Sequence, residues 1–244
     1  MTGSETARRG VAGRAVSGRD VSGRRVLVAG ATSAAGIAVC RDLQAAGALV
    51  IAVGSNQDGI DRLIEQVPDA VVHVADLTRF DEVAALADRV HDGSAPSTGG
   101  PIDGLIHLVG GWRGGGGLSG QSDEDWDFLH SRIVTTLRNT TRVFVDDLRA
   151  SDAGRLAIVS STTLDHPMPG GANYAAAKAA AETWVRAVAN GFEKSAPTAS
   201  ATIFVVQALD GLEASLATAV TGLWDAERPS LSRVPLHAEA TSAQ

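Results

Sequence analysis

The stretch V26-L-V-A-G-A-T-S-A-A-G-I37 decides how the chain is read. Val26–Gly30 is a short apolar run ended by glycine, the pattern of a buried strand. Ala34–Ala46 after it is helical in composition. A glycine-bearing turn between a strand and a helix brings backbone N–H groups together at the positive end of the helix. Such a turn suits a pyrophosphate. Gly30 and Gly36 stand six apart, and Ala34 occupies the place where a middle glycine is expected. Thr32, Ser33, Ala34, Gly36 and Ile37 are the candidate contacts around Gly30. An ordinary tight strand-to-helix connection is the alternative reading of the same residues.

The pattern repeats outward. Ala48–Gly54, Ala70–Asp76, Ile102–Gly111, Arg155–Ser161 and Thr202–Ala208 are further apolar runs. Helical segments separate them: Asp58–Gln66, Arg79–His91, Ser122–Arg149, Asn173–Lys194 and Leu212–Trp224. Ser122 before D-E-D is an N-cap candidate. SRVPL near the C-terminus is a possible last strand, and HDGSAPSTGG a surface loop. Apolar strands alternating with helices imply an α/β fold, a doubly wound parallel sheet covered on both faces, in a single domain. Ligands of such sheets sit at the carboxyl ends of the strands, where the strand order reverses. Residues 1–22 are rich in Arg, Gly and Ser without an apolar run. They read as a disordered N-terminal tail before a domain spanning 23–244.

Composition narrows the function classes. The chain has 244 residues, 44% hydrophobic and 4% aromatic, so its core is built from Ala, Val, Leu and Ile. A net charge of −7 argues against nucleic acid as a partner. No stretch approaches the ~18 consecutive apolar residues of a membrane span. One cysteine, Cys40, suits a reducing cytoplasm, which is the expected location. No metal-ligand pattern stands out.

The chemistry lies after the strands. The one tyrosine, Tyr174, stands four residues before Lys178, one of two lysines. At i and i+4 they share a helix face. Ser161 ends the fifth strand, thirteen residues earlier. With the glycine turn and Asp76-Leu77 after the third strand, these residues resemble the short-chain dehydrogenase/reductase family over roughly Gly23 to Leu236. The resemblance implies a Rossmann fold and hydride transfer between a nicotinamide cofactor and a ketone or alcohol. The substrate would be a small molecule; the short lid after the sixth strand suits a bulky or carrier-bound one, as in secondary metabolism. Tyr174 would be the general acid or base, Lys178 would lower its pKa and hold the nicotinamide ribose, and Ser161 would orient the substrate oxygen. It also implies a homo-oligomer, a tetramer or dimer.

After the second strand come Gly54, Ser55 and Asn56. An NAD site would place a carboxylate there, so NADP(H) is favoured over NAD(H), although no arginine stands by to grip a 2′-phosphate. Asp76 could accept from the adenine amino group or cap the next helix.

Three departures from the family follow. His107-Leu108-Val109-Gly110 replaces Asn-Asn-Ala-Gly; Gly110 keeps a close approach to cofactor. Ile133 stands where the family has a relay asparagine, and Asn139, six residues on, faces another direction. The helical lid after the sixth strand is short. The glycine-rich loop Gly110–Gly120 could compensate, with Trp112 and Arg113 reaching a planar or anionic substrate; such a loop is expected to be mobile without ligand. Thr163 and His166, with Asp165, are pocket candidates between Ser161 and Tyr174. Redox-neutral chemistry (dehydration, epimerisation or cyclisation) and a non-catalytic cofactor-binding role are the alternatives.

Overall fold

The computed structural model describes residues 20–93 and 99–237. Of the expected tail, residues 1–19 lie outside the described residues, as do 94–98 of the surface loop and 238–244. Val21 is 2% exposed and belongs to the core.

Seven parallel strands form one sheet: β1 (Arg25–Ala29), β2 (Leu49–Gly54), β3 (Val71–Val74), β4 (Gly104–His107), β5 (Arg155–Ser161), β6 (Ser200–Val206) and β7 (Leu231–Pro235). Their order is β3-β2-β1-β4-β5-β6-β7. The chain therefore moves outward from β1 to β3, then returns to place β4 on the other side of β1. That reversal opens a crevice at the carboxyl ends of β1 and β4. The fold class read from the sequence is the one observed.

Alternation along each strand feeds two cores. Leu27 and Ala29 of β1 face one layer, with Val83, Leu86, Leu137, Phe144, Val185 and Phe192. These come from α3 (Phe80–Asp92), α5 (Thr136–Ala150) and α6 (Ala172–Ser195). Val26 and Val28 face the other layer, with Val39, Leu43, Leu216, Val220 and Trp224. That layer contains α1 (Ala34–Ala45) and α7 (Glu213–Thr221); α2 (Gln57–Ile64) adds Leu63. Burying each such side chain contributes about 1.5–3 kcal/mol, and this two-sided burial is what makes the strands apolar throughout.

Two elements differ from expectation. The fourth strand is shorter than Ile102–Gly111. His107 is the last residue in register with β1, opposite Ala29. Beyond it Leu108 N–H still donates to Ala29 O at 2.8 Å, but the chain of Gly30 has turned away and the ladder ends. The long helix from Ser122 is interrupted. Ser122 does cap it, its Oγ accepting from Asp125 N–H at 3.1 Å. However α4 (Asp123–Leu129) passes through a π turn over His130–Thr135 before α5 begins. Such turns shift the register of the side chains that follow and are frequent at functional sites.

Candidate active site

The crevice is a cavity of about 720 Å³ at the carboxyl ends of the strands. One wall is the turn after β1. Gly30 has φ +82°, and a Cβ there would lie 3.0 Å from the backbone of Leu108 and Val109. Gly36 sits where a Cβ would be 2.4 Å from Gly30 O, so α1 can approach the turn only as glycine. Ser33 caps α1, its Oγ accepting from Gly36 N–H at 3.0 Å. Ala34 and Ala35, in the first turn of α1, line the cavity, and their amides have no protein acceptor among the described residues. Two free amides at a helix N-terminus, beside a backbone with no Cβ, fit a dinucleotide pyrophosphate. Thr32 also lines the cavity; Gly36 and Ile37 stand behind it.

The adjoining wall comes from β2 and β3. Ser55 lines the cavity. Asn56 does not; its Oδ1 caps α2, accepting from Gly59 N–H at 2.8 Å. Asp76 lines the cavity and accepts from Thr78 N–H at 2.9 Å and Thr78 Oγ1 at 2.7 Å. It thus stabilises the turn before α3, and the N-cap position itself belongs to Arg79. Leu77 lines the cavity beside it. Asn139 explains why this wall holds its place: its Nδ2 donates to Leu77 O at 3.1 Å and Thr78 O at 3.0 Å. That side chain is committed to the turn.

Ser161, at the end of β5, meets Tyr174 and Lys178 of α6 in the same cavity. Ser161 Oγ donates to Thr163 Oγ1 at 3.0 Å, and a hydrogen bond also links Ser161 to Tyr174. Lys178 Nζ donates to Val159 O at 2.7 Å and lies 5.8 Å from the Tyr174 ring centroid. Burial pulls the lysine down to about 8, opposed by Glu182 one turn further along α6. The lowering of Tyr174 expected from Lys178 does not occur in this pocket. Burial raises the phenol, and only the Ser161 hydrogen bond works against that. Lys178, titrating near 8, has lost its charge before the phenol ionises, so it has little leverage on that ionisation.

His107 lines the floor. Thr136 Oγ1 donates to Arg132 O at 2.6 Å, so its oxygen accepts from His107 Nε2–H at 3.1 Å. The ring is therefore the Nε2–H tautomer. Burial first, then the Lys178 charge, holds its pKa down at about 3, so it is neutral at ordinary pH. Ile133 is 3% exposed in the apolar core, with no polar atom to offer.

The third wall is assembled from distant segments. Gly110, Gly111 and Trp112 line it, as does Thr163. Trp112 remains 67% exposed, at the mouth. His166 is not in the lining, and neither is Arg113. That guanidinium pairs with Glu124 at 3.3 Å and Asp125 at 3.5 Å, and sits 3.8 Å above the Phe128 ring. The arginine that does line the cavity is Arg132, 5.0 Å from the same ring. Among the described residues it has no carboxylate partner. The glycine loop is also anchored: Gly115 N–H donates to Gly170 O at 2.8 Å, and Gln121 bridges the two segments. Six residues join β6 to α7, and of these Gln207, Ala208, Leu209 and Asp210 line the cavity. Sequence reasoning missed Arg132, Thr136, Gln121 and Asp210. Only Asp210 carried a usable signal, its place just past a strand.

The short chain dehydrogenase family profile matches residues 24–202, which contain every wall described except the segment after β6. An uncharacterized oxidoreductase, YvrD, of Bacillus subtilis (strain 168) is 31% identical over 147 residues. That match covers 59% of this chain and 53% of the relative, so the likeness spans about half the relative's length. A metagenomic short-chain oxidoreductase in complex with NADP superposes with a TM-score of 0.77 at 22% identity, covering 89% of this chain and 99% of that one. An NADH-dependent reductase, A1-R′, complexed with NAD gives 0.75 at 20% identity, covering 91% and 98%. At that identity the two structures speak for the fold alone. The profile match extends through the glycine turn and the Ser161, Tyr174 and Lys178 positions, and by it the chain belongs to the short chain dehydrogenase family.

Proposed function

We propose that the protein interconverts a ketone and a secondary alcohol, with Tyr174 moving the proton at the substrate oxygen. The observation that carries this reading is the meeting of Ser161, Tyr174 and Lys178 in one cavity at the point where the strand order reverses. Gly30, Thr32, Ser33, Ala34, Ser55, Asp76, Leu77 and Gly110 would hold a nicotinamide dinucleotide, with Lys178 toward its ribose. That cofactor supplies or accepts the hydride. Ser161 Oγ orients the carbonyl oxygen. The raised Tyr174 phenol keeps its proton at neutral pH, which makes it a general acid from the resting state. Ketone reduction is the direction that uses this resting protonation state. NADP(H) is preferred over NAD(H), because Ser55 faces the cavity with no carboxylate at the end of β2. The preference is modest without an arginine clamp. Arg132, with no carboxylate partner among the described residues, adds a substrate feature: an anionic group near the reacting carbon.

Tyr174→Phe tests the reading. Turnover should fall at least ~100-fold, the scale of general acid catalysis, with cofactor affinity nearly unchanged. Equal turnover in the variant removes Tyr174 from the mechanism. Titration calorimetry with NADPH and NADH tests the cofactor reading; tighter NADH binding overturns it. A second reading, redox-neutral chemistry, is favoured by buried Ile133, which leaves no polar group at the family's relay position. Nicotinamide absorbance at 340 nm during turnover separates the two. Assembly as a homo-oligomer through α4, α5 and α6 belongs to the same proposal. Light scattering that returned a single 25.0 kDa chain would end it.

A further inference from the structure

The helix that carries Tyr174 starts without a cap of its own. Its N-cap residue is Gly171, which has no side chain to accept from the first-turn amides, and α6 has no cap hydrogen bond from that position. A glutamine from fifty residues earlier supplies one. Gln121 Oε1 accepts from Asn173 N–H at 3.0 Å, the residue immediately before Tyr174. The other end of the same carboxamide faces carbonyls. Nε2 donates to Gly170 O at 3.1 Å, Gly115 O at 3.1 Å and Gly117 O at 3.2 Å, its two hydrogens shared among three acceptors. A flipped amide would set its oxygen against all three carbonyls, so the network fixes the orientation. Asn173 Nδ2 returns a bond to Ser122 O at 3.1 Å, closing the junction.

We infer that Gln121 is a positioning residue, a single side chain that sets the start of the tyrosine helix and pins the glycine loop to it. The inference rests on the proposed reaction for its kinetic readout, but the junction itself does not. The Oε1 half fixes where α6 begins, and so where Tyr174 stands above the cavity floor. The Nε2 half holds Gly115 and Gly117 against Gly170, and so holds Trp112 at the mouth. A loop of this composition loses much backbone entropy when ordered, and without an anchor it has few means of staying in place. Coupling both halves through one amide means that a shift of the loop is felt at the proton donor.

Two variants separate the halves. Gln121→Glu keeps an oxygen for Asn173 N–H, and a carboxylate is welcome at a helix N-terminus. It has no donor for the three carbonyls. Gln121→Ala removes both. For Gln121→Glu the expected result is a KM raised about tenfold with kcat near wild type, the scale of one or two lost hydrogen bonds. For Gln121→Ala, kcat should also fall about tenfold, with NADPH affinity unchanged in both. Amide exchange of the cofactor-free protein is the independent arm. Gly115 should exchange faster in both variants, and Asn173 faster only in Gln121→Ala. An Asn173 amide that exchanges at the wild-type rate in Gln121→Ala overturns the inference, as do two variants that change kcat and KM in parallel. If wild-type protein reduces no ketone, the proposed reaction fails, and the exchange rates still decide the role of Gln121.

Discussion

Two of the cavity's three walls are made in different ways. The wall under α1 comes from one contiguous stretch, Val26–Ile37, and its working parts are backbone: a glycine with φ +82°, a glycine pressed against a carbonyl, and two free amides. The opposite wall joins residues 110–121, 161–174 and 207–213, which meet around one cavity only because the sheet gathers them. It is held by side chains, chiefly the Gln121 carboxamide and the Phe128 ring, which two guanidinium groups approach. A wall of backbone tolerates almost no added atom. The wall of side chains has tight glycines too, a Cβ at Gly114 lying 2.4 Å from Gly170 O, but it leaves room at Gly171 and responds also to lost hydrogen bonds and charges. The first is suited to a cofactor that does not vary, the second to a substrate that does.

The sharpest way to break this contrast is one substitution made in both walls. Gly36→Ala puts a Cβ 2.4 Å from Gly30 O and 2.6 Å from the carbonyl of Ala31. The backbone must move, at the upper end of overpacking costs, about 3 kcal/mol. Gly171→Ala meets nothing within 4 Å. It should stay within about 0.5 kcal/mol of wild type. Thermal melts of the two variants compare them directly, and similar melting temperatures would mean the walls do not differ as described.

Next in size is charge. Arg132→Ala should raise KM for a ketone bearing a carboxylate about tenfold, the worth of one exposed charge-assisted contact. It should leave KM for a neutral analogue and the affinity for NADPH unchanged. A loss of NADPH affinity instead would assign the guanidinium to a cofactor phosphate.

A pH effect belongs to the floor between the walls. His107 has a folded pKa of about 3 against an ordinary value of 6.5. The unfolded chain therefore takes up a proton that the folded chain refuses. Stability falls as pH drops from about 6.5 toward 3, and above 6.5 this contribution is constant. Lys178 is the charged group facing the ring. His107→Gln removes the titration and should move the acid-unfolding midpoint to lower pH, followed by circular dichroism. An unchanged midpoint would show that other groups govern acid unfolding.

Legibility in the sequence follows the same division. The turn of Gly30, Ser33 and Gly36 could be read from spacing alone, because it is local. Ser161, Tyr174 and Lys178 were legible through family resemblance, their spacing being set within β5 and α6. Asn56 and Arg113 lie outside the cavity lining for a shared reason. Each has the right chemistry near the right strand end, and each is taken by a closer partner: the α2 cap for Asn56, and Glu124, Asp125 and Phe128 for Arg113. Composition also made the glycine loop look free, because composition does not show an anchor.

The amino-acid sequence by itself determined the alternation of strands and helices, the two-faced parallel sheet and the backbone cradle after β1. These depend on hydrophobic period and on glycine, which act over a few residues. Tertiary structure alone decided that Arg132 and not Arg113 faces the cavity, that Asn139 buttresses the turn at Leu77, and that Gln121 caps the helix of Tyr174. Each of those is a hydrogen bond, ring contact or ion pair made or forgone across folded segments, and competition among such partners is settled only when the segments are packed together.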